Sequence, residues 1–209
     1  MVKHFLSKGR LAVIIIIAVL VIDQMVKICV KTTMYYHESY HITDWFQIYF
    51  TENRGMAFGM EIIGKLFLTS FRIIAVILIS WYLINSVKRR LKTGYIVCVS
   101  LILAGAIGNI IDSVFYGVIF EESTNSHIAS LVPVGQGYGS WFQGKVVDMF
   151  YFPIIDTSWP DWLPIWGGEH FIFFSPIFNV ADSSITCGIF ALLIFYHKYW
   201  STAFKDGKK

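Results

Sequence analysis

Four aspartates lie in or beside the long apolar stretches of this chain, at Asp23, Asp112, Asp148 and Asp182. Charged side chains are costly to place in such stretches, so they are candidates for function by default. Two carboxylates held close together cannot both ionise easily and tend to share one proton. The ionised member can take a proton from water while the protonated member donates to a carbonyl oxygen, which hydrolyses a peptide bond without a metal or a covalent intermediate. The residue types therefore allow an aspartic hydrolase.

Other kinds of catalytic site lack their motifs in this sequence. There is no His-Glu-x-x-His, no Gly-x-Ser-x-Gly, no Walker loop and no paired-glycine dinucleotide fingerprint. The three cysteines, Cys29, Cys98 and Cys187, fall in apolar runs without metal-ligand spacing, and we interpret them as small buried hydrophobic residues. We accordingly predict no metal and no cofactor.

The elements that carry Asp23, Asp112 and Asp182 are predicted to be membrane-spanning helices. The chain of 209 residues is 56% hydrophobic and only 15% charged, whereas a soluble domain carries roughly 25% charge. A helix needs about 20 mostly apolar residues to cross the hydrocarbon core. Four segments qualify, at about 11–30, 66–85, 95–116 and 176–200. We predict one all-α membrane domain over residues 1–209.

The basic residues orient these spans. They flank span one on its N-terminal side, separate span two from span three, and follow span four, whereas the stretch 117–175 contains a single basic residue, Lys145. Because cytoplasmic loops are enriched in Lys and Arg, both termini are predicted to be cytoplasmic, and residues 31–65 and 117–175 to face outward. Span one could also be a cleavable signal peptide, but no small-x-small site follows it and its removal would break the charge pattern. The net charge of +3 is small, and no basic patch suggests nucleic-acid binding.

The aspartates are predicted to reach a similar depth. At 1.5 Å per helical residue, Asp23 lies roughly 18 Å and Asp112 roughly 26 Å from the cytoplasmic start of its span. Asp182 lies roughly 9 Å below the outer start of span four. Asp148 belongs to the second outer segment itself. The polar chemistry is therefore predicted to collect at the outer face of the bilayer.

Local spacings suggest how these groups are supported. Asp23 and Lys27 are four residues apart and share a helix face, either for function or as a structural ion pair that neutralises two misplaced charges. Asn109 with Asp112, and Asn179 with Asp182, share a three-residue spacing that aims them inward. Hydrogen bonds that hold the helices together are the alternative for these pairs. Near the outer end of span two, Arg72 is predicted to snorkel to the interface.

The outer segments are rich in aromatic residues. Residues 45–50 partly alternate, which predicts a short strand or hairpin that leads into the turn-forming sequence Asn53-Arg54-Gly55. The second segment, about 59 residues long and rich in Trp, Tyr, Phe and Gly, has a composition that suits the headgroup layer. A loop of that length inside a compact protein is usually functional or has structure of its own.

These motifs, in this order, give the chain a family resemblance. It resembles the lipoprotein signal peptidase (signal peptidase II) family of bacterial membrane aspartic peptidases. The matching motifs are Asp23-Gln24-Met25-Val26-Lys27, Asn53-Arg54-Gly55-Met56-Ala57-Phe58-Gly59, Gly105-Ala106-Ile107-Gly108-Asn109-Ile110-Ile111-Asp112, Val146-Val147-Asp148 and Phe178-Asn179-Val180-Ala181-Asp182-Ser183.

The resemblance implies roles for individual residues. Asp148 and Asp182 match the catalytic pair, and Asp23 with Lys27 matches a supporting pair. Residues that line or support the site would be Asn53, Gly55, Asn109, Asp112, Asn179 and Ala181. The first outer segment would form a small extracytoplasmic β-cradle, and part of the second would form a lid with a gating helix.

The resemblance also implies a substrate and a location. The substrate would be a prolipoprotein that carries diacylglycerol on its lipobox cysteine, cut just before that cysteine. Membrane lipid is the other expected partner. The protein would be a monomer in the bacterial inner membrane, with its site near the periplasmic face.

Two features depart from the family pattern. Ser113 stands where the family usually has Arg, and Arg72 or Arg54 is a candidate substitute. The chain is also longer than usual around 121–143 and 152–174, where a larger lid or a partner surface would fit. The rival functions are a small ion-coupled transporter and a structural membrane scaffold. A transporter predicts internal repeats and a charged path across both leaflets, and the sequence has neither.

Overall fold

Four long helices form the membrane part of the structure, a computed structural model that describes residues 7–53, 63–162 and 164–206. They are α1 (Lys8–Thr33), α2 (Ile63–Lys88), α3 (Thr93–Ile111) and α5 (Val180–Asp206), with a π-helical turn (Asp112–Tyr116) and a short helix α4 (Gly117–Ile119) continuing α3. All four are long and apolar enough to cross a membrane, which confirms the four predicted spans.

The fourth span begins later than the sequence predicted. Residues 176–179 were assigned to it, but Ile177–Phe178 forms a strand, β6, and the helix begins at Val180. The backbone of these two residues pairs with Phe150 and Tyr151 of a neighbouring strand, so it is not available for helical hydrogen bonds. Asp182 is therefore the third residue of α5, only about 3 Å along the helix axis from its start.

Helix α3 is the centre of the bundle. More than half of its span is buried, against less than a quarter of each of the others, and it packs on α1, α2 and α5. Small residues let its neighbours approach closely: a Cβ built on Gly105 would lie 2.2 Å from the carbonyl oxygen of Ala181 on α5, and one on Gly108 would lie 2.8 Å from a carboxylate oxygen of Asp23 on α1. Close backbone contact of this kind is how helices associate where lipid removes the hydrophobic driving force.

Gly105→Ala tests this contact. We expect the added methyl to push α5 away from α3 and to cost about 1–3 kcal/mol of unfolding free energy, the usual range for overpacking. Gly139→Ala is the matched control, because its nearest neighbours would be 3.8 Å from the new Cβ. Equal unfolding free energies for the two variants in the same detergent would contradict the packing described here.

A four-stranded antiparallel sheet sits at one end of the bundle. Its order is β1-β2-β3-β6, from Ser39–Thr43, Phe46–Asn53, Val146–Tyr151 and Ile177–Phe178. The predicted hairpin at residues 45–50 corresponds to β1 and β2, which confirms a small sheet attached to four helices. The second outer segment supplies β3, and the start of the predicted fourth span supplies β6; the sequence did not predict either strand. Strand β3 thereby carries Asp148 into the middle of the sheet.

Buried apolar residues join the sheet to the helices. Phe50, Val147 and Met149 from the strands pack with Val30 and Met34 of α1. Tyr116 and Phe120, which follow α3, complete this cluster. The strand with Asp148 is therefore held against the ends of α1 and α3.

The gating helix implied for the second outer segment is absent: no helix occurs in the described residues from 120 to 179. All five prolines and the glycines at 135, 137 and 139 fall in this stretch, and these residues interrupt helices. Residues 120–145 instead form an irregular loop, and Ile155–Ser158 pairs with His170–Phe173 as a separate hairpin, β4–β5.

The cysteine prediction was wrong for two of the three residues. Cys98 is buried, whereas Cys29 and Cys187 are exposed on their helices. In a spanning helix an exposed position can face lipid, so an apolar side chain does not need to be in the protein core.

Candidate active site

A capping motif at the start of α5 positions Asp182, one of the two predicted catalytic aspartates. The side-chain oxygen of Asn179 accepts a hydrogen bond from the backbone N–H of Asp182 (2.9 Å), and a carboxylate oxygen of Asp182 accepts one from the backbone N–H of Asn179 (3.4 Å). This reciprocal pair is a capping box, here built from Asn and Asp. The spacing that links Asn179 to Asp182 thus starts α5, and the helix dipole favours a negative charge at that position.

The same asparagine joins the two aspartates. The side-chain amide of Asn179, fully buried, donates to Asp148 Oδ1 at 2.6 Å. Asp182 Oδ1 accepts a second amide hydrogen bond, from Asn109 of α3, at 2.8 Å. Asp148 is 4% exposed, whereas Asp182 is half-buried. The structure therefore brings Asp148, Asp182, Asn109 and Asn179 into one hydrogen-bonded group.

Lys27 fixes the orientation of Asn109. Its ammonium group, which has only donors, lies 2.9 Å from Asn109 Oδ1. The amide oxygen of Asn109 must face Lys27, so its NH₂ group must face Asp182. The amide of Asn179 also lies 3.2 Å from Asn109 Oδ1. Both asparagines consequently present donors to the carboxylates.

The environment of Asp148 favours its protonated form. Burial, together with the negative charge of Asp182, raises the pKa of Asp148 to about 7, against an opposing hydrogen bond from Asn179. Near neutral pH the carboxyl group of Asp148 is therefore poised to hold a proton next to Asp182. This is the electrostatic asymmetry that an acid–base pair of carboxylates needs.

A buried charge cluster lies beside this group and holds the backbone on both sides of it. Lys27 pairs with Asp23 (2.9 Å) and Asp112 (2.8 Å), and all three side chains are fully buried. Asp23 accepts a hydrogen bond from the backbone N–H of Ala181 (2.8 Å), and Asp112 accepts one from that of Val147 (3.3 Å). Asp23 therefore holds the backbone directly before Asp182, and Asp112 holds the backbone directly before Asp148.

The two Asn-x-x-Asp pairs have different surroundings. Both were predicted to aim inward together, and Asn109, Asn179 and Asp182 do meet. Asp112 instead belongs to the Lys27 cluster, where Gln24 also donates to it at 2.9 Å. Asn109 connects the two clusters because it contacts both Lys27 and Asp182.

The remaining predicted site residues lie in or after strand β2. Asn53 is the last residue of β2 and pairs with Val146, while Thr51, two residues earlier, pairs with Asp148. Because side chains alternate along a strand, Asn53 is on the same face of the sheet as Asp148. Gly55 and Arg54 lie outside the described residues.

Arg72, which the sequence predicts to snorkel to the interface, has a polar partner within the protein. Its side chain is half-buried, and its guanidinium donates to Ser113 Oγ at 3.3 Å. Its charge interacts with those of three carboxylates, Asp182, Asp112 and Asp148. Ser113, in turn, occupies the position where the family pattern has Arg, so the structure places a guanidinium next to that position from another helix.

Sequence reasoning missed a second buried charge cluster. Lys31, fully buried, pairs with Glu52 of β2 and lies 2.9 Å from Ser123 Oγ. Lys145 lies 3.3 Å from the other carboxylate oxygen of Glu52 and pairs with Glu122 at 2.8 Å. The cluster ties α1, β2 and the loop after α4 together. Part of the segment 121–143 therefore packs against the sheet. The four-residue spacing of Lys27 and Lys31 on one face of α1 was the available sequence signal.

The comparisons with known proteins agree on one family. The family model described as "Signal peptidase (SPase) II" matches residues 15–198. The chain is 52% identical over 205 residues to a lipoprotein signal peptidase of Porphyromonas gingivalis, covering 98% of this chain and 90% of the relative. It is 37% identical over 181 residues to a lipoprotein signal peptidase of Amoebophilus asiaticus, covering 83% and 72%.

A solved structure shares the fold. It is described as a bacterial membrane enzyme determined by the in meso method at 1.9 Å resolution, and it is 27% identical with a TM-score of 0.57. The match covers 88% of this chain and 90% of that one. Together, the matched family model over most of the chain, the relatives and the shared fold lead to one conclusion: this multi-pass membrane protein belongs to the signal peptidase II family.

Proposed function

We propose that this protein is an aspartic endopeptidase that removes the signal peptide from diacylglyceryl-modified prolipoproteins, cutting just before the lipid-bearing cysteine. The observation that carries the proposal is the hydrogen-bonded group in which Asn179 contacts both Asp148 and Asp182. Relatives named lipoprotein signal peptidase support the choice of substrate. Asp148 and Asp182 are the proposed catalytic residues.

The mechanism follows from the different environments of the two carboxyl groups. Asp182, at the start of α5, acts as the base: it takes a proton from a water molecule, which attacks the scissile carbonyl carbon. Asp148, protonated, donates its proton to the carbonyl oxygen as the tetrahedral intermediate forms. Collapse of this intermediate breaks the C–N bond: the departing amine of the cysteine takes the proton that Asp182 received, and a hydroxyl group of the intermediate returns a proton to Asp148 as the new carboxyl group forms. The amide groups of Asn109 and Asn179 hold both carboxylates in place throughout.

The depth of the site suits this substrate. Asp182 lies in the first turn of α5, so the reaction would take place at the boundary between the hydrocarbon and headgroup regions. The peptide bond next to a diacylglyceryl cysteine lies at the same level, because the acyl chains hold the cysteine at the membrane surface. The basic residues around the other ends of the spans support cytoplasmic termini and a site on the periplasmic side of the inner membrane.

The distribution of buried charge disfavours the transporter alternative. Among the residues that the structure describes, the buried charged side chains are Asp23, Lys27, Lys31, Glu52, Asp112 and Asp148. All of them lie near the sheet or at the ends of the helices next to it. In the opposite halves of the described spans, the buried polar side chains carry hydroxyl groups and no charge. Examples are Ser86 and Ser100, which donate hydrogen bonds to backbone carbonyls of their own helices. A conduit needs polar groups along its whole length.

The pKa of Asp148 predicts a pH dependence. Because this group must be protonated to act as the acid, and its pKa is raised to about 7, the rate should be constant at mildly acidic pH and fall above neutrality. A loss of roughly tenfold per pH unit is expected above pH 7. Cleavage rates of the protein in nanodiscs, measured from pH 6 to pH 9, test this expectation. A return to pH 6.5 after exposure to pH 9 should restore activity, and a flat profile would contradict the assignment of the acid.

The substrate assignment is tested with two matched precursors. One carries diacylglycerol on the lipobox cysteine, and the other has the same sequence without the lipid. We expect the purified protein to cut only the first, releasing a signal peptide whose mass ends at the residue before the cysteine. Equal cutting of both precursors would contradict the lipid requirement, and no cutting of either would contradict the proposed function.

A further inference from the structure

The β4–β5 hairpin is a two-faced ribbon that stands apart from the main sheet. Its register places Ile155 opposite Phe173 and Thr157 opposite Phe171, which share one face, while Ser158 opposite His170 belongs to the other. Trp159 packs against Phe171 with the two rings tilted and their centroids 4.9 Å apart, which extends the apolar face toward the hairpin's loop. Neither strand pairs with any strand of the main sheet.

The connecting loop of the hairpin is unusually apolar. It contains three of the seven tryptophans of the chain, Trp159, Trp162 and Trp166. Trp162 is 79% exposed and Ile165 is 75% exposed, while Ile155 and Phe173 at the base are each about half exposed. An isolated two-stranded hairpin is at best marginally stable in water, and a continuous apolar patch of this kind normally marks an interaction surface.

The position of the hairpin in the chain identifies the surface that it meets. The second strand of the hairpin ends at Phe173, and α5 begins at Val180. The base of the hairpin therefore lies within a few residues of a helix that enters the membrane. Each strand of four residues is about 13 Å long. The headgroup layer on one side of a bilayer is roughly 5–8 Å thick. Standing upright, the hairpin would hold Trp162 and Ile165 in water, whereas lying along the membrane would bury them among the headgroups.

We propose that the β4–β5 hairpin lies in the outer headgroup layer of the membrane that the four helices span, with its apolar face and its Trp-rich loop against lipid. Tryptophan prefers this layer, because its ring is apolar and its indole N–H is polar. The exposed acidic residues of the loop, Asp161 and Glu169, disfavour attraction to anionic headgroups, so the contact is hydrophobic. The apolar surface of the hairpin then continues the lipid-facing surface of the helices.

This placement has a consequence for the site. The hairpin joins β3, which carries Asp148, to β6, to Asn179 directly after it, and to α5, which carries Asp182. A hairpin fixed at the membrane surface sets the height of that connection. The contact with lipid itself does not depend on catalysis, so it is tested without any precursor.

Photocrosslinking in nanodiscs of phosphatidylethanolamine and phosphatidylglycerol tests the proposal. The full chain would carry p-benzoylphenylalanine in place of Trp162 or Ile165, both exposed enough to accept it without disturbing the fold. Ser126, an exposed polar position in the other part of the second segment, is the negative control. Phe190, 59% exposed on α5, is the positive control for a lipid contact.

The product masses distinguish the outcomes. We expect lipid adducts at positions 162 and 165 to approach the yield at position 190 and to exceed that at position 126 by about fivefold or more, as for residues at the interface. Yields equal to those at position 126 would overturn the proposal. Crosslinks to a second copy of the chain instead of lipid would also overturn it, because the apolar face would then be a protein interface.

Discussion

Replacing either proposed catalytic aspartate by asparagine is expected to reduce cleavage about a thousand-fold, within the range that positioned acid–base groups contribute. Asparagine has nearly the same shape as aspartate, and its oxygen can still accept hydrogen bonds. In Asp182→Asn this oxygen can still accept from the amide of Asn109, and the NH₂ group replaces the oxygen that accepts the longer bond (3.4 Å) from the backbone of Asn179. In Asp148→Asn it can accept from the side chain of Asn179. Both variants should therefore fold normally and lose only the proton transfer.

The double variant distinguishes a catalytic pair from two independent contributions. Groups that act as a unit are strongly non-additive, so the loss of both should cost little more than the loss of one. Independent roles would multiply the two losses. Asp44→Asn, an exposed aspartate in the turn between β1 and β2, is the control and should cut at the rate of the unaltered protein.

Removing the central cation of the buried cluster is expected to have the largest effect on stability. Lys27→Met leaves Asp23 and Asp112 buried without their shared partner, and breaking a buried ion pair in this way typically costs about 3–5 kcal/mol. Activity should be lost as well, because these two carboxylates hold the backbone of Ala181 and Val147 next to the catalytic pair. The measurement is the free energy of unfolding in detergent.

Two comparisons make the Lys27 result specific. Lys88→Met removes an exposed lysine at the end of α2, and it should change the unfolding free energy by less than about 0.5 kcal/mol. Adding Asp112→Asn to Lys27→Met should recover part of the loss, since it removes one of the two uncompensated charges. A loss below about 1 kcal/mol for Lys27→Met would show that the cluster does not have the role described here.

Much of this structure follows from residue spacing. Long apolar segments predict the four helices, because a span needs a fixed length of apolar sequence. The three-residue spacing of Asn179 and Asp182 signals a close local relation, and the structure shows that this relation is a capping box. The four-residue spacing of Asp23 and Lys27 likewise predicts their ion pair.

The features that sequence reasoning missed depend on contacts between distant parts of the chain. Strand β6 has only two residues and exists because β3 is beside it, so no periodic pattern could reveal it. Lys31 falls in the first outer segment of the prediction because span one is predicted to end at residue 30, and its partner Glu52 lies in a distant part of the chain. For Arg72, the sequence predicts snorkelling because its partner Ser113 lies on another helix, 41 residues further along the chain. The gating helix was implied by the family resemblance, whereas the prolines and glycines of this segment give an irregular loop and a hairpin instead.

The central claim is that Asp148 and Asp182 together carry out the proton transfers of cleavage. Single-turnover kinetics test it most directly, with the enzyme in excess over a diacylglyceryl-modified precursor in nanodiscs, so that binding and product release do not obscure the chemical step. We predict that Asp148→Asn and Asp182→Asn bind the precursor but release signal peptide about a thousand-fold more slowly than Asp44→Asn. Release by either catalytic variant at the rate of Asp44→Asn would contradict the claim.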